Sequence, residues 1–380
     1  AEPPGSTAMQ HLMDHFAAVE AAMAEALRQV SMTDRRAVIE GIPGWLDRIA
    51  SDFGGDALRE PVMRVASNID YTALHRALGL LLAVTEPVYR ERLGRELADD
   101  GPIPRPSGLS PSFQGSFLYA RQTPDGPVLI GGAGPNTYGE PARLVIDLGG
   151  DDLYSASIDW VIDLAGNDMY LSSKDGALGA GLFSAGLILD ASGNDVYAGG
   201  RVAQGAGLFG VGVLWDVSGD DIYSAQELAQ GAAMFGAGLL VDLAGHDRFA
   251  GTKFNQGLGG PRGLGGLLDV AGHDLYVAGA RCEGLLHLHD AGGLEAGEDG
   301  ELLVIELQLC ARCGALNARK DGLVDRGVRT APGDVVQIAE PEAVRVEGPE
   351  SQPDPHFVLF VPEVVEEANE RTRVVQRAIH

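Results

Sequence analysis

The chain is 380 residues long, 45% hydrophobic, and carries a formal charge of −26. That length allows a large core and two or three domains. Acidity on this scale repels phosphate backbones and anionic lipid, which argues against nucleic acid and bare membrane as partners. No apolar run reaches the length of a membrane-spanning helix. The 53 glycines are about twice the usual share, and the three cysteines are too few for a disulfide framework. The opening Ala-Glu-Pro-Pro-Gly-Ser-Thr reads as a mature N-terminus left by an export signal, which suggests a periplasmic or extracellular protein. Removal of an initiator Met, or trimming, gives the same start and leaves the cytoplasm open.

From Met9 to Val30, Leu12, Phe16, Val19, Met23 and Leu27 recur at helical spacing. Ser31 and Thr33 offer caps to a second helix beginning at Asp34, which Gly41-Ile-Pro-Gly should break. A third helix is expected over Ala57–Ser67 and a fourth over Tyr71–Leu97, interrupted at Pro87. Residues 1–100 therefore read as a helical domain. Its apolar faces are expected to pack on each other or on the end of whatever follows, not on a ligand. Asp99-Asp-Gly-Pro-Ile-Pro-Arg-Pro-Ser-Gly is a linker by composition, and residues 101–142 hold this linker and short entry strands cut by Gly and Pro.

A repeat follows: Asp, Gly at +3, Asp at +5 and an aromatic ring at +7. Six copies start at Asp147, Asp163, Asp190, Asp216, Asp242 and Asp269, and a worn seventh starts at Asp290. The steps between starts are 16, 27, 26, 26, 27 and 21 residues, too short for propeller blades, and the Leu spacing of leucine-rich repeats is missing. The pattern predicts a mainly β protein, a right-handed parallel β-solenoid of about six coils over residues 143–296. Val213-Leu-Trp-Asp-Val is one strand of a coil, Asp221-Ile-Tyr-Ser-Ala the next, and Gln230-Gly-Ala-Ala-Met-Phe-Gly-Ala-Gly the return.

Equivalent residues of neighbouring coils should stack about 4.8 Å apart. One column is Tyr154, Tyr170, Tyr197, Tyr223, Phe249 and Tyr276; Phe249 implies that the ring, not the hydroxyl, is the shared requirement. Phe183, Phe209 and Phe235 form a second column. Gln204, Gln230 and Gln256 form a third, continued by Glu283, with amides expected to bond along the column. Lys174, Arg201, Glu227 and Lys253 read as a solvated charge ladder.

The two aspartate columns admit two explanations. Each Asp can accept downstream backbone N–H groups in an Asx turn, which would favour the ionised form and make acid destabilising. Alternatively, Ca²⁺ sits between carboxylates and turn carbonyls. Ser192-Gly-Asn-Asp-Val-Tyr resembles half of the calcium-binding nonapeptide repeat of the repeat-in-toxin proteins, and that resemblance implies bound calcium; the likeness spans about six residues per copy, against a 26-residue period here.

Candidates for chemistry are few. Asp151-Asp152 and Asp220-Asp221 look like the acid pairs of solenoid enzymes, but the second member of each belongs to a repeat column, and an active site occurs once. Trp160 and Trp215 are candidates for stacking on a sugar. The least repetitive polar group is Cys282, His287, His289, Cys310 and Cys313. Cys310-Ala-Arg-Cys313-Gly has the shape of half a zinc site, with Cys282 and His287 or His289 completing four ligands; a disulfide or free thiols is the other reading. Residues 297–380 read as a strand-rich cap with a terminal helix over Glu366–His380, closing the open edge of the last coil.

These features point to a non-enzymatic structural or binding scaffold, metal-stabilised if the aspartates or the cysteines bind Ca²⁺ or Zn²⁺, with a protein or a carbohydrate as partner. The alternative is a lyase, hydrolase or epimerase acting on an acidic polysaccharide.

Overall fold

Each repeat aspartate ends a six-residue strand rich in aliphatic and β-branched residues: Ala142–Asp147, Ile158–Asp163, Ala185–Asp190, Val211–Asp216, Ala237–Asp242 and Leu264–Asp269. The computed structural model describes residues 7–49, 59–97, 109–280, 285–287, 305–310 and 315–320, all within one unit spanning residues 1–320. The six strands pair in parallel and in register, so Asp147, Asp163, Asp190, Asp216, Asp242 and Asp269 stand side by side. A second sheet carries the rings, with Tyr138, Tyr154, Tyr170, Tyr197, Tyr223, Phe249 and Tyr276 paired in sequence. The result is a β-solenoid of about five turns.

Two residues per strand decide where the core lies. Val145, Val161, Ile188, Leu214, Leu240 and Leu267 face the ring column and fill the interior. Their neighbours Leu144, Trp160, Leu187 and Val213 are also buried, on the other face of the sheet. A parallel sheet covered on both faces reads as a continuous apolar run, and Val-Gly-Val-Leu-Trp is one. The rings stack with centroids 4.5–4.8 Å apart.

The 16-residue first step has a structural cause. The longer coils add a third, short sheet, Gly181–Leu182, Gly207–Leu208 and Ala233–Met234, which the coil from Asp147 to Asp163 lacks. Phe183, Phe209 and Phe235 follow those strands directly and stack 5.0 and 5.1 Å apart. They and the Gln column occupy corners with φ between 50° and 57°, a region left mostly to glycine. The Gln amides do not bond one another. Gln204 Nε2 donates to the carbonyls of Tyr197 and Ser224, at 2.8 and 2.9 Å, and Gln230 to those of Tyr223 and Ala250. Each amide thus ties its own coil to the next through the backbone.

The stack also starts earlier than the first Asp. The strand Gly126–Gly131 pairs in parallel with Ala142–Asp147, and Gly131, Gly134, Asn136 and Tyr138 occupy the four repeat positions of a worn first copy. A two-stranded antiparallel ribbon, Ile305–Cys310 with Ala315–Lys320, is the described part of the C-terminal region. The seventh copy, Glu283 and the remainder of the cap fall outside the described residues.

Among the described residues, five α-helices precede the solenoid: α1 (Thr7–Ala26), α2 (Met32–Ile49), α3 (Arg59–Asn68), α4 (Tyr71–Leu82) and α5 (Pro87–Leu97). Pro87 sits at the first helical position, where its missing N–H costs nothing. Pro43 does not end α2, contrary to the sequence reading. Ile42, Trp45 and Leu46 around it are buried, and that packing outweighs one lost hydrogen bond. Nor do the helices cap the end of the array; they lie along its flank. Phe16 meets Trp160 edge-on at 4.7 Å, Trp45 lies 6.3 and 6.4 Å from Phe209 and Phe235, and Arg262 covers the Tyr71 ring at 5.6 Å. Arg143 lies over Phe16 and pairs with Glu20.

Phe209 is therefore held between two rings of its column and under the helical layer. Phe209→Ala should cost about 3–5 kcal/mol of stability, read as a lower urea midpoint at unchanged solenoid circular dichroism in the native baseline.

Candidate functional site

The first aspartate of each repeat is fully buried, and in Asp147, Asp163, Asp190 and Asp216 both oxygens find donors, whereas Asp242 Oδ1 has none. The backbone N–H two residues on closes an Asx turn: Gly149, Ala165, Ser192 and Ser218 donate to Oδ1 of Asp147, Asp163, Asp190 and Asp216 at 2.9–3.1 Å. Oδ2 accepts a tyrosine hydroxyl from the preceding coil: Tyr170 to Asp190, Tyr197 to Asp216 and Tyr223 to Asp242, each at 2.6 Å. Tyr138 and Tyr154 make the same bond to Asp147 and Asp163. The hydroxyl is thus part of the design, which corrects the reading that only the ring matters. Where Phe249 interrupts the column, Asp269 takes the hydroxyl of Tyr276 from its own repeat.

The second aspartate works between coils. Its Oδ1 accepts the backbone N–H of its counterpart one coil back: Asp152 to Asp168, Asp168 to Asp195 and Asp195 to Asp221, at 2.6 Å, with Asp221 to Asp247 at 2.8 Å. Its Oδ2 is different. In Asp152, Asp168, Asp195, Asp221 and Asp247 no N–H or hydroxyl donor reaches this buried oxygen; beside it lies the carboxyl of the first aspartate of the same repeat, which it can bond only when one of the pair carries a proton. The glycine at +3 is forced by the same crowding. A Cβ on Gly193 would sit 1.5 Å from the carbonyl oxygen of Gly166, and one on Gly219 equally close to that of Gly193.

The exposed slot before the second aspartate forms a ladder of its own. Asp151 accepts the N–H of Asn167, Asn167 that of Asn194, Asn194 that of Asp220, Asp220 that of His246, and His246 Nδ1 that of His273, at 2.8–3.0 Å. Asp, Asn and His share an acceptor at the δ position, which explains a slot that varies in residue type. The pairs Asp151-Asp152 and Asp220-Asp221 are accordingly split, with one member exposed and the other buried. Trp160 and Trp215 are 1% and 2% exposed, so neither offers a sugar platform. Of the expected charge ladder, Lys253 pairs with Glu227 at 3.4 Å, both partly buried, while Arg201 pairs with Asp175 outside the column at 3.2 Å.

Successive coils bring three carboxylates together five times: Asp147 with Asp152 and Asp163, then equivalently down to Asp242 with Asp247 and Asp269. In each group one oxygen per residue lies within 4.8 Å of the others, a geometry able to hold a metal ion. The sequence reading of ionised corners does not survive this burial. Desolvation, then neighbouring aspartates, push Asp152 up to about 9 and Asp195 to about 8. Burial likewise lifts Asp221 to about 8, Asp168 and Asp190 to about 7 and Asp247 to about 6, against the backbone and tyrosine donors. Asp163, Asp216 and Asp242 are raised well above the ordinary carboxylate range by the same loss of water. Among the described residues, the groups acting most strongly on Asp147, Asp152, Asp195 and Asp221 are other aspartates, Tyr138, Asn136 and backbone amides, not cations.

Of the residues expected to hold zinc, Cys282, His289 and Cys313 lie outside the described residues. His287 and Cys310 fall on the strands Leu285–His287 and Ile305–Cys310, with their side chains outside that description. Comparison with protein-family models, with curated proteins and with solved structures finds no match.

Two outcomes follow. Tyr197→Phe removes the donor to a buried oxygen of Asp216 and should cost about 1–3 kcal/mol, measured by urea denaturation. Because the folded carboxyls hold protons that the unfolded chain releases near its ordinary value of 3.8, native binding exceeds unfolded binding above that pH. Their stabilisation is complete in acid and is lost as pH rises through about 6 to 9. Protein stripped of divalent ions should melt higher at pH 5 than at pH 8.5, the reverse of the acid lability expected of ionised corners.

Proposed function

We propose that the chain is a non-enzymatic scaffold, structural or binding, in which the aspartate and tyrosine columns form the spine. The observation that carries this reading is the repetition of the buried aspartates and glutamines at the same places in successive coils, each serving its neighbour. Catalysis needs a constellation that occurs once. A shallow, open concavity on α3, lined by Glu60, Met63, Arg64, Ser67 and Asn68, contains none of the column aspartates.

A scaffold needs a face to present. On the ring-bearing sheet the outward position before each ring is Met169, Val196, Ile222, Arg248 and Leu275, in register. Met169, Ile222 and Leu275 are 44–51% exposed. A regular, flat, largely apolar row of this kind suits a protein or carbohydrate partner that itself repeats. A lyase, hydrolase or epimerase would instead need its acids and cations off the columns. Incubation with polyuronates, sulfated glycans and hyaluronan should release no unsaturated product and no reducing ends above a heat-treated control. Sustained turnover of any of them would replace this reading with the enzymatic one.

The zinc reading of Cys282, His287, His289, Cys310 and Cys313 is a proposal from spacing alone. It expects about one zinc per chain by elemental analysis of protein purified without chelators. A Cys310–Cys313 disulfide in zinc-free protein would end it.

A further inference from the structure

We infer that the five buried carboxylate groups, Asp147/Asp152/Asp163 through Asp242/Asp247/Asp269, are a row of calcium-class cation sites, one between each pair of successive coils. The inference rests on the scaffold reading and states what holds the spine together. Its second support, beyond the acids themselves, is the set of unpartnered Oδ2 atoms on Asp152, Asp168, Asp195, Asp221 and Asp247. Each belongs to a residue at most 2% exposed. Ionised, a buried oxygen without a donor is among the costliest groups a fold can carry, so each needs a proton or a cation, and the need recurs at five successive coils.

The chain itself shows what the neighbouring oxygens accept when a donor is supplied. In the worn first copy the second acid is Asn136, and its Nδ2 donates to Asp147 Oδ2 at 2.8 Å. If the second position served only to donate a hydrogen bond, Asn would do so at every pH. The six later copies all carry Asp there, which keeps an ionisable oxygen where an amide would have closed the network. A cation uses that oxygen; a hydrogen-bond ladder does not need it.

Charge and size agree. Each coil adds two buried carboxylates, so one divalent ion per coil neutralises both columns together. The donors are all carboxylate oxygens, with no imidazole or thiolate, which favours a hard cation over zinc or copper. A point equidistant from three oxygens at the 4.8 Å limit is about 2.8 Å from each, the side divided by the square root of three. Closing that triangle slightly reaches the about 2.3–2.6 Å of calcium–oxygen bonds. Magnesium, at about 2.0–2.1 Å and reluctant to shed its waters, fits a sealed site less well.

The test uses the full chain, stripped with EGTA and desalted into about 0.15 M salt at pH 7.5 to screen surface acids. Titration with CaCl2 should show saturable binding of several ions per chain, up to five. The melting temperature should rise by several degrees and fall again with EGTA, while MgCl2 at the same concentration should do markedly less. The double variant D195N/D221N should lose about two ions and be no less stable than wild type without metal, because Asn supplies the amide seen at Asn136. D220N, in the exposed slot where Asn167 and Asn194 already stand, should keep the full count. Absence of saturable calcium binding, with melting equal in EGTA and calcium, would overturn the inference and assign the neutralising role to protons. So would a calcium count unchanged in D195N/D221N, which would place the ions on the surface. The wild-type count and the EGTA shift need no variant and decide the matter if the double variant does not fold. Turnover of an acidic polysaccharide would sink the scaffold reading while leaving the ion count standing.

Discussion

A carboxylate taken out of water must be given donors, a proton or a counter-ion, and in this molecule that demand is repeated at each turn of the coil. In-register parallel pairing places Asp147, Asp163, Asp190, Asp216, Asp242 and Asp269 side by side. At a spacing of about 4.8 Å two such charges repel by roughly 3.5 kcal/mol at an effective dielectric of about 20. The rest of the structure is arranged around this repulsion. The Asx turn uses one oxygen, the tyrosine of the neighbouring coil the other, and the backbone N–H of the second column reaches across to the next acid. Removing any one contact leaves another buried polar atom without a partner, at the full cost of its desolvation.

The helical layer is the second consequence. A solenoid sheet with aliphatic side chains on both faces cannot leave one face wet. Trp160, Leu187 and Val213 are covered by helices packed along the flank. The short first coil, which lacks the third sheet, leaves Trp160 for Phe16, and the longer coils present the Phe209 and Phe235 rings to Trp45. The change in repeat length from 16 to 27 residues and the placing of the helices are thus two sides of one packing solution.

Much of the spine could be read from spacing. The offsets of Asp, Gly, Asp and ring identify equivalent positions, and equivalent positions in a parallel coil must stack, whatever the rest of the chain does. The role of the tyrosine hydroxyl is not legible in the spacing, because Phe249 stands in the same column; the fold turns Tyr276 to Asp269 in its place. The first copy, Gly131 to Tyr138, keeps Gly and Tyr at the right offsets but has Gly131 and Asn136 in place of the two Asp. The Gln amides were expected to bond one another, yet the left-handed corner at Gln204 and Gln230 turns them to backbone carbonyls of two coils.

The sequence alone determined the solenoid, its columns and the identity of the acids in them, because a fixed period leaves one register that stacks like on like. Tertiary structure decided whether those acids are charged. Ionisation depends on how much water each carboxyl keeps and on which donors close around it, and no spacing rule carries that information. Asp151 and Asp152 are adjacent in the chain, one exposed and the other buried. The same residue type is a solvated turn acceptor in the first case and a buried acid in search of a counter-charge in the second.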